Sequence, residues 1–303
     1  MTEGACNRPA TVIAVRQLTL NPNLRSRPIA DIGCNDTSWH NAMMQLPRNP
    51  VRRSRNIGSA KQGHGQDNRL VIPQSINGPH WRDRLGNYSR EIRMIDGRSI
   101  TFLVEETTGG CIHPCTVSDV THMLRQVPAS EWAILNTFVF RQPTMKQRTM
   151  VPVWGRLLYF AEIRSGTGRK LHEGPAIILE AIDIERPIKW SKSLDPDDAN
   201  ELERLRSDGH SIDQTARNHE IIVSRHSARN TQLYRTLLHE IGHWFDWLSK
   251  VEEPAVRGET RETLERAYFA RPQAEREAFA HRYAEETRKR LVSKGAIPFD
   301  PIV

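Results

Sequence analysis

Two histidines and a glutamate at helical spacing are the residues most able to do chemistry. The stretch Leu237-Leu238-His239-Glu240-Ile241-Gly242-His243-Trp244-Phe245-Asp246-Trp247 contains His239-Glu240-x-x-His243. On an α-helix, positions i and i+4 lie one turn apart on one face, with Cβ atoms roughly 5–6 Å apart. Two imidazoles so placed reach one Zn²⁺ at about 2.0–2.1 Å. Glu240 then projects beside the metal, where it can take a proton from a metal-bound water. This makes His239 and His243 candidate ligands and Glu240 the candidate general base. The alternative is a core helix that happens to carry two histidines. It would bury two imidazoles and a carboxylate without partners, which is costly.

The elements that position this triplet follow from its flanks. Leu238, Ile241, Phe245 and Leu248 recur at helical spacing, predicting a buried amphipathic helix. Asn230 or Thr231 can cap its start, and no proline interrupts it before Pro254. A catalytic zinc keeps three protein ligands and one open position, so one more ligand is needed. A ligand six residues beyond His243 is excluded, because that position is Ser249. Further on, Glu259–Ala270 reads as a helix, Arg271-Pro272 breaks it, and Gln273–Lys294 reads as another. Ala274, Ala278 and Ala280 are small enough to let this last helix approach the first. Glu277 shares a face with Ala274, Ala280 and His281, whereas Glu275 is rotated away, so Glu277 is the expected third ligand. Asp246, three residues after His243, is placed to hydrogen-bond the outer nitrogen of His243 and fix its orientation. His281 is expected to support Glu277, to substitute as a ligand, or to lie on the surface. Gly242 costs about 1 kcal/mol inside a helix, a cost that close contact with a second helix would explain.

This combination, His239-Glu240-x-x-His243-x-x-Asp246 with Glu277-Ala278-Phe279-Ala280, resembles the gluzincin class of zinc metallopeptidases. In particular it looks like the catalytic core of anthrax lethal factor-like peptidases, in which the metal glutamate is also followed by an aromatic–alanine step. The resemblance covers about residues 215–292 and nothing in the first 200. It implies a zincin-like fold whose sheet offers an edge strand to a peptide. It also implies a tyrosine shortly before the metal glutamate that assists the oxyanion. The nearest counterpart is Tyr268, nine residues before Glu277 and two away from the expected spacing. A packing residue on the preceding helix is the other reading of Tyr268.

The remaining elements are read in order from about Trp81. Glu91–Ile95 and Arg98–Val104 around Asp96-Gly97 predict a β-hairpin. Thr116-Val117-Ser118-Asp119 predicts a capping box opening a helix that stops by Pro128. Ser130 is expected to cap a short helix through Glu131–Leu135. Strands are expected over Thr137–Arg141, Val151–Ile163, Pro175–Ile184 and Glu220–Ser224, with a polar helix over Asp195–Ser207. Cys111-x-His113-x-Cys115 supplies three zinc-type ligands where structural zinc takes four. A reduced loop cysteine pair is therefore the better reading there.

The 303 residues carry a net charge of +7, unevenly placed. Residues 1–90 hold 13 Lys+Arg against 5 Asp+Glu, and the remainder 30 against 31. The first 80 residues are rich in proline, with Arg48, Arg52, Arg53 and Arg55 clustered and only Thr11–Val15 and Leu70–Ile72 as short apolar runs. They read as a largely disordered basic segment. Contact with nucleic acid or an acidic partner is one reading of the arginines. A solvated tail is the other, favoured because no aromatic residues interleave them to stack on bases. Hydrophobic residues make up 38% of the chain and mean hydropathy is −0.59, consistent with a segment that builds no core. Four cysteines do not make a disulfide framework. No apolar run can span a membrane, and Met1–Leu20 lacks the pattern of a secretory signal. A cytoplasmic location where synthesised is expected, with signal-independent secretion left open.

The expected architecture is α+β: a basic segment over 1–80 and a zincin-like metallopeptidase domain over 81–303. That domain has a small mixed sheet, the His239–His243 helix and a C-terminal helix carrying Glu277. The expected function is zinc-dependent hydrolysis of peptide bonds in a protein or peptide substrate. His239, His243 and Glu277 hold the metal, Glu240 moves the proton, and Tyr268 or another donor steadies the oxyanion. Two alternatives stand beside it. One is a non-catalytic protein of the same fold whose basic N-terminus engages a partner. The other is a toxin-like effector protease whose N-terminal region recruits one target.

Overall fold

The computed structural model describes residues 84–150, 153–194 and 196–302. The expectations for 1–80, including its disorder and its two short apolar runs, lie outside the described residues. Within them the architecture is mixed α+β, built on a six-stranded sheet. Its strands are β1 (Arg84–Leu85), β2 (Tyr88–Ile95), β3 (Arg98–Glu105), β5 (Thr137–Arg141), β6 (Gly155–Ser165) and β7 (Lys170–Glu180). They lie in the spatial order β1-β6-β7-β5-β3-β2. The β2–β3 and β6–β7 pairs are antiparallel, and β1–β6, β3–β5 and β5–β7 are parallel. Two short strands, β4 (Cys111–Ile112) and β8 (Ile182–Asp183), pair apart from it. A three-stranded sheet orders β10 (Ser211–Gln214), β11 (Asn218–Ile222) and β9 (Ile188–Ser191).

Local sequence accounts for these elements. Asp96 and Gly97 both take positive φ, 48° and 76°, as a type I′ hairpin turn requires. The strand β5 is buried at all five residues, in line with its run of apolar side chains. Alternation along the strands sends Phe102, Phe138, Phe140, Ile177 and Leu179 to the face covered by helices, and Leu103, Val139, Ala176 and Ile178 to the other. The helix α1 (Val117–Gln126) opens with the expected capping box between Thr116 and Asp119.

Asp119 has a second task. Both its oxygens meet the Arg229 guanidinium, at 2.9 and 3.2 Å, in a pair that is almost fully buried. Arg229 also donates to the carbonyl of Phe299, and Ile302 N–H donates to Asp119, so the C-terminal segment is tied to α1. Burial opposes the charge on Asp119, but the bonds from Arg229, Thr116 and Ile302 outweigh it and hold the carboxyl below its ordinary range.

Helices α2 (Met145–Met150) and α3 (Pro196–Ser207) precede a long helical run. This run comprises α4 (Arg225–Thr231), a π-turn at Gln232–Thr236, α5 (Leu237–Trp247), a second π-turn at Leu248–Glu252, and α6 (Glu253–Val256). Then come α7 (Arg261–Ala270) and α8 (Gln273–Ser293). Several expectations are corrected here. Asn230 and Thr231 do not cap the His239–His243 helix, because Ser224 caps α4 with Ser227 and the helix runs on through the π-turn. Residues 129–134 form turns rather than a helix, with Ile134 at φ 71° and the fully buried Trp132 donating its indole N–H to Val127. The strand placed at Val151–Ile163 begins at Gly155, after the unexpected α2. No helix among the described residues is long and apolar enough to cross a membrane.

Candidate metal centre

The helix α5 lies against the β6 side of the sheet and against α8, and these three elements build the site. Leu237, Leu238, Ile241, Trp244, Trp247 and Leu248 are buried in the main core, which fixes the rotation of α5. His239 and His243 then project together, their rings 4.6 Å apart and nearly perpendicular.

Gly242, on the α8 side, sets how near that helix comes. A Cβ there would lie 2.9 Å from Tyr283 Cδ1 and 3.2 Å from both the Cα and the carbonyl oxygen of Ala280. The close contact expected of Gly242 is present. Of the three small residues read as its counterpart, only Ala280 is buried; Ala274 and Ala278 face solvent. Gly242→Ala has two opposing effects. Alanine gains about 1 kcal/mol of helix propensity, and overpacking against immovable backbone costs roughly 1–3 kcal/mol. The expected outcome is a net loss of thermal stability in scanning calorimetry. Zinc affinity should weaken along with it, because α8 carries Glu277 away as it retreats; an unchanged melting temperature would contradict this packing account.

Glu277, one turn before His281 on α8, reaches back to both imidazoles. Its Oε2 is 3.3 Å from His239 Nε2 and 3.4 Å from His243 Nε2. The three donor atoms lie within 4.8 Å of one another, and no other such group of His, Cys, Asp or Glu occurs among the described residues. Hydrogen bonds from His239 and His243 hold the Glu277 carboxyl well below the ordinary carboxylate range. The Nδ1 of His239 is buried without a hydrogen-bond partner.

Glu240 is 8% exposed. Its Oε2 accepts the backbone N–H of Leu157 at 2.7 Å, which leaves Oε1 for another partner. Burial pushes its carboxyl up, His239, His243 and the Leu157 N–H oppose that, and Glu277 adds to it. The Leu157 bond was not readable from sequence, being made by backbone 83 residues away. It lies on an informative strand. The β1 strand pairs only with Arg164 and Ser165, so on the described residues β6 from 155 to 163 is a free edge.

The other candidates are placed as follows. Asp246 does not hold His243. Arg271 Nη1 takes its Oδ2 at 2.7 Å, and its Oδ1 is buried without a hydrogen-bond partner. The correction has a simple geometric cause: α7 turns back at Arg271 and brings a guanidinium to a fully buried carboxylate. The His281 ring lies tilted by 49° against that of His239, with centroids 4.4 Å apart, and stands outside the donor trio. Burial, then His239 and Arg204, push its imidazole down to about 4. Tyr268 is 2% exposed in an aromatic cluster with Trp247, Tyr159 and Phe269, its hydroxyl 3.0 Å from that of Tyr159. Burial pushes the Tyr268 phenol up to about 12. Tyr159 is the neighbour that feels the charge of Glu240. Cys111, His113 and Cys115 diverge: Cys111 faces Arg148, His113 meets the carbonyl of Glu105, and Cys115 meets Gln232. Both cysteines are free.

Comparison with protein-family models, with curated proteins and with solved structures finds no match.

Proposed function

We propose that the protein is a zinc-dependent metallopeptidase with a zincin-like catalytic domain of gluzincin type. The observation that carries this reading is the convergence of His239, His243 and Glu277 on one point, with Glu240 beside them and held to an edge strand. Two edges of the donor set match the ion. Tetrahedral zinc with bonds of about 2.0–2.1 Å has donor–donor edges of about 3.4 Å, and the two imidazole–carboxylate separations are 3.3 and 3.4 Å. When bound, zinc supplies a Lewis acid and lowers the pKa of a bound water toward ~7.

The chain's own residues do the rest. Glu277, kept ionised, contributes the negative ligand. Glu240 is anchored through one oxygen and uses the other to take a proton from water and pass it to the leaving amine. Apart from the Leu157 N–H that Glu240 takes, the edge of β6, unpaired from 155 to 163 among the described residues, offers backbone groups along which an extended peptide can lie. Oxyanion support is assigned to the hydroxyl-bonded Tyr159–Tyr268 pair rather than to Tyr268 alone. The Tyr268 hydroxyl bonds that of Tyr159, and Tyr159 stands two residues from Leu157, the Glu240 anchor.

The test uses the full chain. Elemental mass spectrometry is expected to find about one zinc per chain. A peptide pool is expected to be cleaved, with activity lost on chelation and restored by zinc. A zinc-loaded chain that cleaves nothing in the pool would leave a metal-binding module in place of an enzyme.

A further inference from the structure

We infer that Arg276 is a specificity-determining residue that receives a carboxylate of the substrate beside the metal centre. The inference deepens the peptidase reading and rests on it.

Arg276 immediately precedes Glu277 on α8. Its guanidinium lies 5.7 Å from the Tyr268 ring and 5.6 Å from the Phe269 ring. Tyr268 is hydrogen-bonded to Tyr159, and Tyr159 is two residues from Leu157, whose N–H holds Glu240. The guanidinium is thus linked through Tyr268 and Tyr159 to the edge strand that anchors Glu240. Its positive charge is felt by both tyrosine hydroxyls.

The neighbouring arginines are committed elsewhere. Arg271 is bound to Asp246 and Glu275, Arg204 to Glu201, and Arg235 to Glu201 and Asp208. Arg276 has no ion pair among the described residues, and its Nε is buried without a hydrogen-bond partner. A partly buried guanidinium without an anion is an expensive arrangement. Cation–π contact with two rings holds the guanidinium and leaves N–H groups that can grip a carboxylate.

The surroundings are open to a ligand. Phe269 is 44% and Phe160 63% exposed, with rings 6.5 Å apart. Phe160 is there because β6 bulges: Leu158 pairs with Ala176 and Ala161 with Gly174, so Tyr159 and Phe160 together span one position of β7. The bulge turns both rings toward Trp247, at 4.6 and 5.7 Å. An aromatic ledge thus runs from the edge strand to Arg276. A peptide on that edge would bring either an acidic side chain or its own C-terminal carboxylate to the guanidinium.

The experiment compares matched synthetic peptides in the zinc-loaded full chain: Glu against Gln at each position, and free against amidated C-terminus. Cleavage is read by mass spectrometry in the wild type. Binding is read by calorimetry in Glu240→Gln. The expected result is a preference of about 10- to 100-fold for the carboxylate form. It should fall to near one in Arg276→Gln and return in part in Arg276→Lys, with zinc content and melting temperature checked in each. The Glu/Gln arm identifies a side chain and the amidation arm a terminus. Cleavage without a carboxylate preference, or a preference that Arg276→Gln retains, overturns the inference and leaves the peptidase standing. Carboxylate-dependent binding that Arg276→Gln abolishes, with no cleavage anywhere, removes the peptidase and keeps the carboxylate site. Neither binding nor cleavage removes both.

Discussion

Glu240→Gln is expected to keep about one zinc per chain and to lose hydrolysis by about 10²- to 10⁴-fold, the usual contribution of a positioned general base. The substitution isolates the proton from the packing. Glutamine has the same shape, and its carbonyl oxygen can still accept the Leu157 N–H that anchors Oε2 at 2.7 Å. It removes a charge that burial already opposes, so the fold has no reason to weaken. What it cannot do is take a proton from water. The check is kcat on the peptide pool, measured beside zinc content and melting temperature. Turnover at the wild-type rate would take Glu240 out of the mechanism. Loss of turnover with loss of zinc would instead mean that Glu240 helps to hold the metal centre together.

The parts of the site that were legible in the sequence are those set by a single helix's period. His239, Glu240 and His243 stand on one turn, and Glu277 shares a face with Ala280, the residue that meets Gly242. The helix around them was legible for the same reason, since Leu238, Ile241 and Leu248 are buried as the period requires. Its beginning was not, because Asn230 and Thr231 look like caps only when the preceding segment is taken for a loop. In fact α4 already occupies Arg225–Thr231, and a π-turn carries it into α5.

Partnerships across the fold were out of reach. Asp246 has the spacing to serve His243, but no local rule says that Arg271, 25 residues on, returns to claim it. The Leu157 N–H has no side-chain signature at all, and the β6 bulge that exposes Phe160 depends on register against β7. Tyr268 lay in between. Its position before Glu277 suggested chemistry, while the aromatic residues Tyr159, Trp247 and Phe269 that enclose it come from two other elements and from its own neighbour. The hairpin at Asp96-Gly97 and the Thr116–Asp119 capping box were readable because each is closed within a few residues.

Glu277→Ala is expected to abolish stoichiometric zinc, and with it all hydrolysis, while the chain stays folded. The side chain is 40% exposed, and its only partners among the described residues are the two imidazoles. Deleting it therefore opens no large cavity and strands no buried charge, so the melting temperature of the metal-free protein should move little. Metal binding responds differently. With two imidazoles alone the site has two of the three protein ligands that catalytic zinc requires, and neither understudy is ready. Asp246 is bound by Arg271 and is not among the converging donors. His281 packs against the His239 ring and lies outside the converging donors, so it would have to move to reach the metal. The measurement is zinc by elemental mass spectrometry after dialysis, in wild type, Glu277→Ala and Glu277→Ala/His281→Ala. Zinc lost in the single variant makes Glu277 the third ligand. Zinc kept in the single variant and lost in the double would move that role to His281, and the Glu277–imidazole contacts would then be ordinary hydrogen bonds.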